Sequence, residues 1–77
     1  MKAVVAILLI KAEPGKAREA ANAIARIPGC RQTHVVTGPY DIVCFAEADD
    51  ITALGDMVVA RVQTVPGVRD TLTCLVV

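Results

Sequence analysis

The sequence predicts an α+β fold in which two strand–helix–strand halves share one four-stranded antiparallel sheet. Strand-like and helix-like patterns alternate in the order strand, helix, strand, and that order occurs twice. A turn at residues 37–40 separates the two halves. Residues 28–33 (P-G-C-R-Q-T) match residues 66–71 (P-G-V-R-D-T) at P-G-x-R-x-T, 38 positions later. Two such halves joined by a hairpin form a ferredoxin-like βαββαβ sandwich with both helices on one face of the sheet.

The first half begins with a predicted buried strand at residues 3–11. Apolar side chains fill both of its alternating sets, a pattern typical of a strand covered on both faces. Residues 16–27 form a predicted helix whose apolar residues recur at helical spacing. Its stripe consists of Ala17, Ala20, Ala21, Ile24 and Ile27. The Pro-Gly pair at 28–29 ends the helix, and residues 31–37 are a more polar strand, which favours an edge position.

The second half repeats this order with a longer helix. Residues 41–48 are again apolar on both faces, so we expect a central strand. Asp49 and Asp50 precede the second helix and suit its N-terminus. The apolar stripe of that helix consists of Ile51, Leu54, Val58, Val62 and Val65. Residues 69–77 form the last predicted strand, with threonines on one face and apolar residues on the other.

The length and composition predict self-association. With 77 residues, the chain is predicted to be one domain spanning 1–77. A domain this small buries a modest fraction of its surface and usually needs a staple or a partner. The chain is 55% hydrophobic, and the sheet face without helices is predicted to be apolar. An apolar patch of that kind marks an interaction surface, so we expect dimerisation through the sheet.

Two classes of partner have little support in the sequence. The 8 basic residues are balanced by 8 acidic ones, are scattered, and have no aromatic residues between them, which disfavours direct nucleic-acid binding. The apolar run near the N-terminus ends at Lys11, whereas a membrane span needs about 20 apolar residues. It also lacks a cleavage site for a signal peptide. We therefore expect no membrane association and a cytoplasmic location.

The residues needed for catalysis or metal binding are mostly missing. No serine occurs, which excludes Ser-His-Asp chemistry, and His34 is the one histidine. The three cysteines lack a C-x-x-C pair, so small buried side chains in a reducing compartment are favoured over metal or redox work. Asp49, Asp50 and Asp56 are better explained by helix capping and a solvated helix face than by a metal site. The sequence therefore predicts no enzyme, no metal and no cofactor.

The turn between the halves, Gly38-Pro39-Tyr40-Asp41, holds the most conspicuous polar side chains. Asp41 suits turn chemistry, in which its carboxylate accepts a backbone N–H. Alternatively, its carboxylate faces a small cation such as an α-ammonium, while backbone N–H groups of the turn take a carboxylate. Thr71 and Thr73 share one face of the last strand. Their hydroxyls suit an exposed strand or a polar ligand, and the sequence leaves both alternatives open.

Three segments together resemble a known family. The hairpin at residues 35–43, the helix after residues 49–50 and the segment at 65–73 are similar to the effector-binding (RAM) domain of the Lrp/AsnC (feast/famine) transcription regulators. The resemblance rests on the G-x-Y-D turn and on P-G-V-x-x-T-x-T, both correctly placed in a βαββαβ frame that covers essentially the whole chain.

The resemblance implies a function and a site. It implies dimers built through the sheets, octamer-like rings of these dimers, and amino acid effectors bound between dimers. The residues of the family's binding site correspond here to Gly38, Pro39, Tyr40, Asp41, Thr71 and Thr73, and proline at 39 is a variant of the family's loop. The expected function is an amino-acid-binding, oligomerising regulatory domain linked to transcriptional control of amino acid metabolism.

One departure from the family concerns DNA. The family's N-terminal helix-turn-helix DNA-binding domain has no counterpart in these 77 residues, so we expect a stand-alone effector domain. Such a domain either forms mixed assemblies with full-length relatives or has another role as an amino-acid-responsive assembly module. Two alternatives stay open. One is a small dimeric enzyme of the monooxygenase type, for which Tyr40, His34 and Asn22 are the candidate residues. The other is a structural partner module without a ligand.

Overall fold

The elements occur in the predicted order. The computed structural model describes residues 3–77. It contains the strands β1 (Val4–Ala12), β2 (Cys30–Val35), β3 (Ile42–Ala48) and β4 (Val68–Leu75), and the helices α1 (Ala17–Ala25) and α2 (Ile51–Met57). A π-helical segment, Val58–Val62, continues α2. The βαββαβ prediction is therefore confirmed, with element ends that differ from the predicted ones by a few residues.

The sheet has the strand order β2-β3-β1-β4, and every neighbouring pair is antiparallel. β1 and β3 are central, as their two apolar faces predicted, and β2 is an edge strand. β2 ends at Val35, two residues earlier than predicted. Thr37 consequently lies in the bend that follows and does not share a strand face with Thr33.

Within the described residues, one hydrophobic core lies between the helices and one face of the sheet. The small side chains of Ala20 and Ala21 let α1 approach the sheet closely. The buried residues are Ala6, Leu8, Ile10, Ala12, Ala20, Ala21, Ile24, Ile42, Cys44, Ala46, Leu54, Val58 and Val62. The predicted stripe of the second helix is correct except for Ile51, which is 63% exposed. Ile51 belongs to the first turn of α2, and its side chain lines an open groove with Leu75, Val76 and Val77.

The predicted cap of the second helix is present. Oδ1 of Asp50 accepts a hydrogen bond of 2.7 Å from the backbone N–H of Ala53. This bond satisfies one of the N–H groups that the first turn leaves without a helical partner. Asp50, and not Asp49, therefore fixes the start of α2.

The two Pro-Gly turns are held in the same way, each by the other half of the chain. The carbonyl of Gly67 accepts a hydrogen bond from the N–H of Glu13 (2.7 Å), and that of Gly29 accepts one from Glu47 (2.8 Å). Both glycines have a positive φ, 99° for Gly29 and 93° for Gly67, which side chains rarely tolerate. The guanidinium of Arg31 also pairs with Glu47 at 3.2 Å.

The halves differ in the length of their helices. Gly29 and Gly67 are 38 positions apart, whereas Glu13 and Glu47 are 34 apart. One of the four additional residues of the second half lies in the turn after the helix, and the other three lie in the helix, where α2 continues into the wider π-helical turns. The N–H of Gln63 there donates to the carbonyl of Val58 (2.8 Å), five residues earlier. This turn places Gln63 beside β4.

Candidate functional site

Asp41 connects the hairpin to the central strand. Its backbone N–H donates to the carbonyl of Ile10 (2.9 Å), and its carbonyl accepts from the N–H of Val36 (2.8 Å). Its carboxylate oxygen Oδ2 accepts a hydrogen bond of 2.8 Å from the backbone N–H of Ala12. This contact lies where the register of β1 shifts between Lys11 and Ala12. The carboxylate therefore accepts a backbone N–H, but that N–H belongs to the end of β1 and not to the turn, and the bond uses one of the two carboxylate oxygens.

Tyr40 contacts a cation. The ammonium Nζ of Lys11 lies over the Tyr40 ring, 5.6 Å from its centroid, within the range of a cation–π interaction. Tyr40 is half-buried and Lys11 is exposed. Lys11 is not among the site residues predicted from the sequence. The one feature of the sequence that could have indicated Lys11 is its position, since it is the charged residue at the end of the apolar run of β1.

Thr71 and Thr73 lie on β4, on the same face of the sheet as the helices. Thr71 pairs with Ile10 and Thr73 with Leu8, two residues of the buried set. The Thr71 hydroxyl accepts a hydrogen bond of 3.0 Å from Nε2 of Gln63. A cavity of about 370 Å³ adjoins this pair and is lined by Gln63, Val68, Arg69, Asp70 and Thr71. Gln63 is the second polar residue that the sequence analysis missed, because its place depends on the π-helical turn.

The six predicted site residues form two groups, five of them at one end of the sheet and Thr73 beside the middle of β1. Ile10 of β1 pairs with Ile42 on one side and with Thr71 on the other. Neighbouring strands are about 4.8 Å apart, so the start of β3 and Thr71 are separated by about 10 Å. Tyr40 and Asp41 lie on the β3 side, with Gly38 and Pro39 exposed in the bend. The cavity beside Thr71 contains none of these four residues, so one chain does not enclose all six in a single pocket.

The face of the sheet opposite the helices is mainly apolar, as predicted. We call it the open face. Leu9 in its centre pairs with Val43 on β3 and with Leu72 on β4, and Ile7 pairs with Phe45 and Cys74. Val5, Phe45 and Leu72 are 36%, 38% and 46% exposed, respectively. Gln32 and His34 lie on the same face, at its β2 edge. Side chains this large and apolar, grouped on one face, favour contact with another protein surface.

Two of the three cysteines contact each other. Cys44 is buried in the core, Cys30 is half-buried and Cys74 is exposed on the open face. The contact with Cys44, together with burial, raises the pKa of the Cys30 thiol above its ordinary value. The same contact lowers the pKa of Cys44 to about 7, against the opposing effect of burial. The prediction of buried, hydrophobic cysteines thus describes Cys44, and it is wrong for Cys74.

Another cavity lies at the other end of the sheet. It has a volume of about 630 Å³ and is lined by residues of the first Pro-Gly turn, the end of β3, α2 and the π-helical segment, among them Glu47, Asp49, Asp56 and Arg61. Within residues 3–77, no group of three or more His, Cys, Asp or Glu side chains is placed to hold a metal ion. In the same part of the chain, no helix has the length and hydropathy needed to cross a membrane.

Comparison with known proteins decides the family. A sequence model of the Lrp/AsnC ligand binding domain matches residues 5–77. The chain belongs to the Lrp/AsnC ligand-binding domain family. An HTH-type transcriptional regulator of Pyrococcus horikoshii is 34% identical over 71 residues, which cover 88% of this chain and 47% of that protein. The chain thus spans about half the length of the curated relatives it matches.

Solved structures share this fold. TTHA0845 from Thermus thermophilus superposes with a TM-score of 0.91 and 31% identity, covering 96% of this chain and 92% of that one. The transcriptional regulator NMB0573 of Neisseria meningitidis, solved as a complex with L-Met, superposes with a TM-score of 0.85 and 22% identity over 96% of this chain and 49% of that one. The second likeness shows the fold alone. The Lrp/AsnC domain is a part of transcriptional regulators, which agrees with the prediction of a regulatory protein.

Proposed function

We propose that this Lrp/AsnC domain binds an amino acid and oligomerises, and that it thereby takes part in the transcriptional control of amino acid metabolism. The observation that carries the proposal is the carboxylate of Asp41. Oδ2 is fixed by the Ala12 amide, and none of the described residues donates a hydrogen bond to Oδ1. A carboxylate held in position with one oxygen available is suited to bind an α-ammonium group, and we propose that the ring of the preceding residue, Tyr40, takes part in binding the same cation.

The proposal also assigns binding partners to the α-carboxylate and the side chain of the amino acid. Backbone N–H groups of the bend at residues 37–40 take the α-carboxylate, apart from that of Pro39, which has none. Thr71 lies about 10 Å away across β1, a distance of two strand spacings, and Thr73 lies two residues further along β4. We therefore propose that both threonines complete the site from a neighbouring chain. The complex of the related NMB0573 with L-Met makes L-methionine the first effector to test.

Assembly is proposed to begin at the open face. A second copy covering Leu9, Phe45 and Leu72 removes their exposed apolar surface from water, which favours association. Larger rings such as octamers then bring the hairpin of one dimer to the threonines of another. We further propose that the chain acts in the cytoplasm in mixed assemblies with HTH-type relatives, since no cluster of basic residues serves DNA binding directly.

Calorimetric titration with each of the twenty L-amino acids tests the proposal, with the assembly size followed by light scattering. We expect at least one amino acid to bind and the protein to be dimeric or larger at micromolar concentration. A monomer that binds none of the twenty would contradict both parts of the proposal. A stable assembly that binds none would leave only a structural role.

A further inference from the structure

Lys11 lies at the border of the open face, between two possible partners. It is the residue of β1 just beyond the apolar centre of that face. Its register partner on β4 is Asp70, and the Tyr40 ring lies on the opposite side, next to β3. Its side chain is exposed, so the position of the ammonium depends on these neighbours and not on packing in the core.

The carboxylate of Asp70 is within reach of Lys11. Residues directly opposite each other in an antiparallel pair have Cβ atoms about 5 Å apart, with both side chains on one face. The four methylene groups of lysine span that distance easily. Nevertheless, the ion pairs found within residues 3–77 are Lys16–Glu19, Arg31–Glu47 and Arg69–Glu13, and they do not include Lys11. Its ammonium lies over Tyr40 at 5.6 Å.

The ammonium of Lys11 thus lies over the ring that the proposed function assigns to the effector's ammonium. A ring face attracts one cation well, because the attraction comes from the quadrupole of a single π-system. A second cation at the same face is repelled by the first. An α-ammonium that approaches Tyr40 and Asp41 must therefore compete with the side chain of Lys11.

We propose that Lys11 is an affinity-setting residue with two positions, over Tyr40 in the unliganded chain and paired with Asp70 when an α-amino acid is bound. This inference rests on the proposed function, since it takes Tyr40 and Asp41 as the receptor of the effector's ammonium. Lys11 weakens binding because its ammonium competes with that of the effector. Asp70 lowers the free-energy cost of displacing Lys11 from Tyr40, because its carboxylate pairs with the displaced ammonium. Together the two residues set how much free amino acid is needed to load the site.

Affinity measurements on two variants test the roles of the pair. Lys11→Met keeps an unbranched apolar stem and removes the charge, so binding should tighten about two- to fivefold, the range for an exposed cation–π contact. Asp70→Asn removes the second position and should weaken binding by a similar factor. In the Lys11→Met background, Asp70→Asn should have no further effect, because the displaced cation is gone.

Nuclear magnetic resonance reports on the Lys11 position independently of affinity. The chain has three lysines, Lys2, Lys11 and Lys16, so their side-chain signals can be assigned by substitution. The ε-methylene protons of Lys11 should be shifted upfield by the ring current of Tyr40, and Tyr40→Leu should abolish this shift. Addition of a binding amino acid should move these signals toward the values of an unshielded lysine.

The outcomes separate this inference from the proposed function. If an amino acid binds, but Lys11→Met does not tighten binding or the Lys11 signals stay shielded, the two-position role is wrong while the amino acid site stands. If no amino acid binds either the natural chain or Lys11→Met, the proposed function itself fails. An equal effect of Asp70→Asn with and without Lys11 would also overturn the coupling.

Discussion

The carboxylate of Asp41 accepts a hydrogen bond of 2.8 Å from the backbone N–H of Ala12, 29 residues earlier in the chain. The bond joins the start of β3 to the end of β1 at the point where β1 changes register. Asp41 therefore stabilises the fold, and a substitution that tests ligand binding alone must keep the hydrogen bond to Ala12. Asparagine keeps an oxygen acceptor for the Ala12 amide and removes the charge, whereas alanine removes both.

Asp41→Asn should weaken amino acid binding by about tenfold or more, because a hydrogen bond to a charged group contributes about 1.5–3 kcal/mol. Its free energy of unfolding should stay close to that of the natural chain. Asp41→Ala should lose binding and also about 1–3 kcal/mol of stability, since the Ala12 amide is left without a partner. Calorimetry and urea unfolding measure the two quantities. Natural affinity in Asp41→Asn would remove Asp41 from the effector site.

Leu72→Asp should convert the assembly into smaller species. Leu72 is 46% exposed on the open face, so aspartate there is solvated in the single chain but buried without a counter-ion in a sheet-to-sheet dimer. Val59→Asp is the matched control, because Val59 is 62% exposed on the helix side. Light scattering at micromolar concentration should show a lower mass for Leu72→Asp and an unchanged mass for the control. The reverse result would place the interface on the helices.

Alkylation of the cysteines should report on the same interface. Cys74 is exposed on the open face of a single chain, so iodoacetamide should modify it slowly in the assembled protein and faster in Leu72→Asp. Cys30 should react slowly in both proteins, and should remain slow as the pH rises to about 9, because its raised pKa keeps the thiol protonated. Mass spectrometry of the peptides gives the rates. Equal reactivity of Cys74 in both proteins would mean that the open face is not covered.

Asp50→Ala should destabilise the fold by about 1 kcal/mol, the usual cost of a lost N-cap. Asp49→Ala should change the free energy of unfolding by less than about 0.5 kcal/mol, as is common at surface positions without a specific contact. Urea unfolding measures the free energy of unfolding of both variants, so that two adjacent aspartates are compared directly. Equal costs would indicate that helix electrostatics, and not the hydrogen bond to Ala53, stabilise the start of α2.

The sequence was sufficient for the topology because several independent patterns agree. Apolar residues on both faces predicted the central positions of β1 and β3, and the repeated Pro-Gly pairs marked the ends of both helices. Ile51 was assigned to the buried stripe because spacing alone does not show where the sheet ends beneath a helix. Likewise, the end of β2 at Val35 depends on the bend that follows and not on the propensity of Thr37.

The candidate site was predictable in its residue types but not in its contacts. The sequence indicates that the Asp41 carboxylate either accepts a backbone N–H of the turn or faces a cation, and the structure shows one oxygen bonded to the Ala12 amide at the end of β1. Lys11 and Gln63 escaped notice because their contacts with Tyr40 and Thr71 come from strand pairing and from the π-helical turn. Neither strand pairing nor a π-helical turn can be recognised from a short stretch of sequence. The role of the six predicted residues in binding an effector stays a prediction.

The two hydrogen bonds that hold the Pro-Gly turns affect how this protein unfolds, because each bond joins one half of the chain to the other. The turn that contains Gly29 belongs to the first half but is held by Glu47 of the second, and the turn that contains Gly67 is held by Glu13 of the first. Neither half can retain its turn once the other has come apart. We therefore expect the amide hydrogens of both halves to exchange through a common opening, as one cooperative unit despite the duplicated architecture.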